Sequence, residues 1–289
     1  MIYVLLSVCC SVIVSVLLKL ARRYSIDIFQ AIAWNYSIAM LLTWLFYKPH
    51  LSSLQAEPMY LYGVLAVLLP VLFVIIGLSV KITGIVRTDI AQRLSLFIPL
   101  IAAFLLFNET FTWIKFAGLL IGVFAIICSI PWQKQDANGG PAPANSWIYL
   151  VVVFLGMGVI DVLFKQVALF KTVPYTTSLF AIYGLAFVIS QVILLFMVAT
   201  KRIKFTIRHI FFGWVLGIAN FGNILFYLKA HQALSGNPST VFSAMNIGVI
   251  TLGALIGLIV FKEKLSALNK FGIILAIVAI VVIAYSQTH

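Results

Sequence analysis

Along the chain, apolar runs of about 20 residues alternate with short polar breaks. A helix crossing roughly 30 Å of hydrocarbon needs about 20 residues, so each run is long enough to span a bilayer. The pattern predicts ten membrane helices, at about 2–20, 28–47, 59–80, 84–106, 112–130, 147–167, 175–199, 208–230, 239–260 and 268–286. Residues 131–146, PWQKQDANGGPAPANS, have the composition of a linker. They divide the chain into a first five-helix unit, 1–130, and a second, 147–289.

The two units resemble each other. FNETFTWIKFAG (107–118) aligns with FKEKLSALNKFG (261–272), pairing Phe107 with Phe261, Glu109 with Glu263 and Gly118 with Gly272. At nearby offsets Gly84 and Thr88 pair with Gly236 and Thr240, and Lys19 pairs with Lys165. An odd number of helices per unit makes the second enter the membrane in the opposite sense to the first. The fold class expected is therefore an all-α integral membrane protein built as an inverted-topology repeat.

Polar positions within the apolar runs are unevenly spread, and a polar stripe at helical spacing marks a helix that faces a cavity or a partner. Helix 1 carries Ser7, Ser11, Ser15 and Lys19 at four-residue intervals. Helix 3 carries Gly63, Pro70, Gly77 and Lys81, helix 4 carries Asp89, Gln92 and Arg93, and helix 6 carries Gly158, Asp161 and Lys165. Helix 8 has Gly213, Gly217, Asn220, Asn223, Tyr227 and His231, and helix 9 has Ser239, Ser243, Asn246, Gly253 and Gly257. Helices 1, 3, 4, 6, 8 and 9 are thus expected to wall a cavity, with 2, 5, 7 and 10 outside. Gly118 and Gly122 in helix 5 read as a close-packing face.

Composition agrees with the pattern: 63% of residues are hydrophobic and 9% charged, and mean hydropathy is +1.15. The net charge of +12 does not point to nucleic acid, because the basic residues cluster between apolar runs instead of forming a stripe. Loops after odd-numbered helices hold twelve of them, including Arg22, Arg23, Lys201, Arg202 and Lys204; loops after even-numbered helices hold four. The positive-inside bias places the odd loops in the cytoplasm and both termini outside the inner membrane. The first residues, MIYVLLSVCC, read as a membrane helix, not a cleaved signal. Cys9, Cys10 and Cys128 lie in apolar runs without metal-ligand spacing, so neither a metal site nor a cofactor is expected.

Asp161 and Lys165 are four apart, acid first, which brings their side chains together on one helical face. One reading is mutual neutralisation, with Lys165 snorkelling to the interface. The other has Asp161 exchanging a proton or cation while Lys165 holds a substrate carboxylate or phosphate. Asp89 and Arg93 repeat the spacing and read either as lining of the cavity or as a structural ion pair. The candidate set for substrate binding or coupling is Ser11, Ser15, Lys19, Gln92, Arg93, Asp161, Lys165, Asn220, Asn223, Tyr227, Ser243 and Asn246. His231 reads as an interfacial residue, and Glu109 and Glu263 as structural charges in turns beside the starts of helices 5 and 10.

The 5+5 organisation, the lysines closing helices 1 and 6 (Lys19, Lys165) and the glutamates after helices 4 and 9 (Glu109, Glu263) resemble the EamA-type branch of the drug/metabolite transporter superfamily over nearly the whole chain. The family's Trp-Gly early in helix 1 reads Ser11-Val12 here, and its helix 4 proline falls on Leu96, with Pro99 nearby. The resemblance implies a secondary transporter that exports a small metabolite such as an amino acid. Two other readings stand beside it: a multidrug exporter of cations centred on Asp161, and a membrane-embedded enzyme or passive channel. No Gly-x-x-x-x-Gly-Lys-Ser/Thr loop is present to bind ATP, so coupling would come from a proton or ion gradient or from exchange. No His-Glu-x-x-His or Gly-x-Ser-x-Gly motif supports an enzyme. The expected partners are a small-molecule substrate and the lipid bilayer, with monomer and homodimer both open.

Overall fold

The structure is a computed structural model that describes residues 1–49, 59–83, 85–109, 112–129, 145–260 and 266–286. The linker at 131–146, apart from its last two residues, and Glu263 lie outside the described residues, as do the side chains of Lys19 and Asp89. The described residues form helices and no strands: α1 Ile2–Arg23, α2 Ile28–Tyr47, α3 Met59–Thr83, α4 Ile85–Leu94, α5 Phe97–Leu105, α6 Trp113–Ser129, α7 Trp147–Ala168, α8 Tyr175–Ala199, α9 Ile207–Ala233, α10 Pro238–Ile259 and α11 Ala267–Tyr285.

Among the described residues, six helices are long and apolar enough to cross a membrane: Ile28–Tyr47, Met59–Ser79, Trp147–Ala168, Tyr175–Ala199, Ile207–Ala233 and Pro238–Gly257. The outer surface carries bare Trp44, Phe46, Leu105, Trp113, Phe124, Leu195, Ile218 and Ile259. Apolar side chains exposed on this scale need lipid around them, and the chain is a membrane protein.

The predicted fourth helix, 84–106, is two helices. Pro99 lacks the N–H that would reach the Ser95 carbonyl, and its ring crowds that oxygen. The chain responds by breaking at Ser95 and Leu96, where Ile98 N–H takes the Ser95 carbonyl instead, at 3.0 Å. The Ser95 hydroxyl turns back to the Gln92 carbonyl and closes α4. Pro99 then sits in the first turn of α5, where no intrahelical N–H is needed.

The closest helix pairings run between the two sequence units, not within them. α2 packs on α8 and α9, α1 on α9 and α10, α3 on α7 and α8, and α6 on α11. Glycines allow the tightest of these approaches. A Cβ at Gly213 would lie 2.5 Å from the Ala31 carbonyl oxygen, and one at Gly217 would lie 2.5 Å from that of Asn35. Both glycines were expected on the cavity stripe and instead hold α9 against α2, as small residues do wherever two helix backbones meet in lipid. Gly118 similarly faces Ile283 of α11, whereas a Cβ at Gly122 would meet Ile247 of α10 at 2.5 Å and Ala279 of α11 at 3.6 Å.

Candidate functional site

Between the helices lies a cavity of about 310 Å³. Its wall is made by Ser11 and Ser15 of α1; Leu69, Leu72, Phe73 and Ile76 of α3; Gln92 and Arg93 of α4; Met157, Ile160, Asp161 and Phe164 of α7; Asn220, Asn223, Ile224 and Tyr227 of α9; and Met245, Asn246 and Val249 of α10. These helices correspond to predicted segments 1, 3, 4, 6, 8 and 9. Nine of the twelve candidate residues therefore meet around one space. The two helices that supply most of its apolar lining, α3 and α7, were expected in the wall, but the apolar side chains themselves, such as Leu72, Phe73 and Phe164, were not singled out by the sequence.

The polar groups are arranged with little slack. The Tyr227 hydroxyl donates to Asp161 Oδ1 across 3.0 Å. Ser7, buried behind the wall, donates to the Asn223 carbonyl and side-chain oxygens at 2.8 and 2.9 Å and fixes the Asn223 amide. Asn246 donates to the Phe242 carbonyl within its own helix at 3.0 Å, which leaves its side-chain oxygen as an acceptor. Asn220 and Gln92 line the cavity without a hydrogen bond from their side chains to a described residue.

Lys165 and Ser243 are the corrections. Ser243 is buried among helices, its hydroxyl without a partner among the described residues, and does not reach the cavity. Lys165 is fully buried and forms no ion pair with Asp161. Its ammonium donates to the His231 and Ser235 carbonyls at 3.3 and 3.0 Å and lies 5.8 Å from the centre of the Phe107 ring. The i,i+4 spacing placed the two side chains near each other, but the His231 carbonyl in the last turn of α9 and the Ser235 carbonyl in the turn beyond it claim the ammonium.

The neighbouring turn is held from its other side. Glu109 accepts from the Ser239 backbone N–H at 2.8 Å and from the Ser239 hydroxyl, so its carboxylate caps the first turn of α10. Lys115 of α6 pairs with Glu109 at 2.7 Å and also donates to Asn237 Oδ1 at 2.8 Å. Both charged groups are buried. Glu109 is structural, as its turn position suggested, but the helix start it serves includes α10, predicted segment 9. His231 is not interfacial: it is fully buried between the rings of Tyr227 and Phe242, with centroids 4.6 and 4.7 Å away.

Against known proteins, no family model matches the sequence. The chain is 43% identical over 288 residues to a Haemophilus influenzae protein described as "Uncharacterized protein", covering 96% of both. It belongs to that protein's family. A crystal structure sharing 13% sequence identity superposes with a TM-score of 0.70 over 96% of this chain and 95% of its own. At that identity the likeness establishes a common fold for the family and says nothing of its ligand.

Proposed function

We propose that the chain is a secondary transporter that moves a small organic metabolite, such as an amino acid, by alternating access around the described cavity, in the manner of the EamA-type transporters its sequence resembles. The observation that carries the reading is the cavity itself. A space lined by an acid, a guanidinium and four side-chain amides, enclosed by helices whose outer faces need lipid, is where a polar solute would pause while crossing a bilayer.

Four shorter apolar stretches, Ile2–Leu18, Ala91–Leu105, Trp113–Cys128 and Lys270–Ile283, join the six long helices to make ten spans in this reading. The packing supports two inverted halves. Exchanging each helix for its counterpart in the other unit turns α1 on α9 into α7 on α3, α2 on α9 into α8 on α3, and α1 on α10 into α7 on α4 and α5; each of these pairs is present. α2 with α8 and α6 with α11 map onto themselves. The charge bias of the loops favours the inner membrane with both termini outside, and the resemblance favours export.

Counterflow in proteoliposomes tests the reading. Vesicles loaded with unlabelled substrate from an amino-acid and organic-anion panel should accumulate labelled substrate transiently above equilibrium, because a carrier exchanges. Flux that is linear in concentration and indifferent to trapped substrate would mean a pore.

A further inference from the structure

We propose that the cavity's ligand carries a protonated amine, which seats on the Asp161 carboxylate in place of the Tyr227 hydroxyl. The proposal deepens the transporter reading and rests on the same cavity. Its ground is what surrounds Asp161. The side chain forms no ion pair among the described residues and accepts one hydrogen bond, on Oδ1, from a neutral phenol. Oδ2 accepts from no described residue and faces the cavity.

The cation placed by sequence to neutralise Asp161 is committed elsewhere, since Lys165 serves the His231 carbonyl in the last turn of α9 and the Ser235 carbonyl just beyond it. Asp161 is half-buried on a membrane-spanning helix, where an ionised carboxylate is stabilised by a counter-charge or several donors, and one phenol supplies neither in full. An ammonium group brings a positive charge and three donors. It is the occupant that completes the site.

The groups facing Asp161 agree on this chemistry. α3 presents only apolar side chains to the cavity, and α5 meets α7 at Gly158 through Ile98. α9 presents Tyr227 and Asn220, α10 presents Asn246, whose side-chain oxygen is a further acceptor, and α1 presents Ser11 and Ser15. Arg93 on the α4 wall is the one cation with a described side chain that lines the cavity. A ligand holding both an amine and a carboxylate can therefore place its charges on different walls. The large apolar wall takes the body of such a ligand, so a phenyl-bearing amine is a suitable probe.

The test is binding of 2-phenylethylamine, phenylalanine and phenyllactate to the purified full chain in detergent by calorimetry. Both amines should bind, and phenyllactate, with a hydroxyl in place of the amine, should bind at least about tenfold more weakly. Asp161→Asn should cost the amines about tenfold or more, while Asp161→Glu, which keeps the charge, should retain most of the affinity. Tyr227→Phe should tighten amine binding a few-fold, because the competing donor is gone. Equal binding of phenyllactate, undiminished amine binding by Asp161→Asn, a tenfold loss in Tyr227→Phe, or no amine binding by the wild type would each overturn the proposal. Amines that bind yet show no counterflow would sink the transporter reading and leave this one standing; counterflow of solutes without an amine, with no amine binding, would do the reverse.

Discussion

Tyr227 donates its hydroxyl to Asp161 across 3.0 Å, and this bond is the first of two rungs between α9 and α7. One helical turn further along both helices, Lys165 reaches the carbonyl of His231 at 3.3 Å. Because residues four apart on α7 meet residues four apart on α9 in the same order, the two helices run in the same sense here. The inner rung faces the cavity and the outer rung closes the end of the bundle, so each residue's role can be tested separately.

Lys165 is assigned to the outer rung. Lys165→Met leaves the buried His231 carbonyl without this donor, while the Ser235 carbonyl belongs to an exposed residue, and should cost about 1–3 kcal/mol, read as a lowered melting temperature in detergent. Ligand affinity should stay within about twofold, since the ammonium does not line the cavity. Lost affinity with unchanged melting would return Lys165 to the substrate.

Glu109 and Lys115 should behave as one unit. Glu109→Gln strands a buried ammonium and weakens the cap on α10, at a cost of about 3–5 kcal/mol. Lys115→Met in the same chain removes the stranded charge, so the double variant should be more stable than Glu109→Gln alone. A double-mutant cycle by thermal unfolding measures the coupling; strictly additive effects would count against a direct pair.

Gly217 should resist substitution. Gly217→Ala would place a Cβ 2.5 Å from the Asn35 carbonyl oxygen and push α9 away from α2, for a loss of about 1–3 kcal/mol. Gly63→Ala meets no atom within 4 Å and serves as the control, with little change expected in melting.

These predictions fall unevenly on what the sequence could reveal. Polar side chains at helical spacing identified the wall helices, because in lipid a serine or asparagine such as Ser11 or Asn220 has to face a cavity or a partner. Glycine does not carry the same information. Gly213 and Gly217 lie on the polar stripe of α9 yet serve a backbone contact, since the absence of a side chain suits close packing as well as open space. The fate of Lys165 was hidden for another reason: spacing along one helix reports the neighbour at i−4 but not an unpaired carbonyl arriving from α9. Glu109 was recognisable as a turn charge, while its bond to Ser239 spans 130 positions of sequence and is created by the fold.

The central claim is that this cavity opens alternately to the two sides of the membrane, and side-specific labelling tests it most directly. Asn246→Cys, in a chain with Cys9, Cys10 and Cys128 replaced, puts a single thiol on the cavity wall. A membrane-impermeant maleimide applied to right-side-out and to inside-out vesicles should label it in both, and bound ligand should slow both reactions. Labelling from one face only, whatever ligand is present, would contradict alternating access and leave the cavity a one-sided pocket.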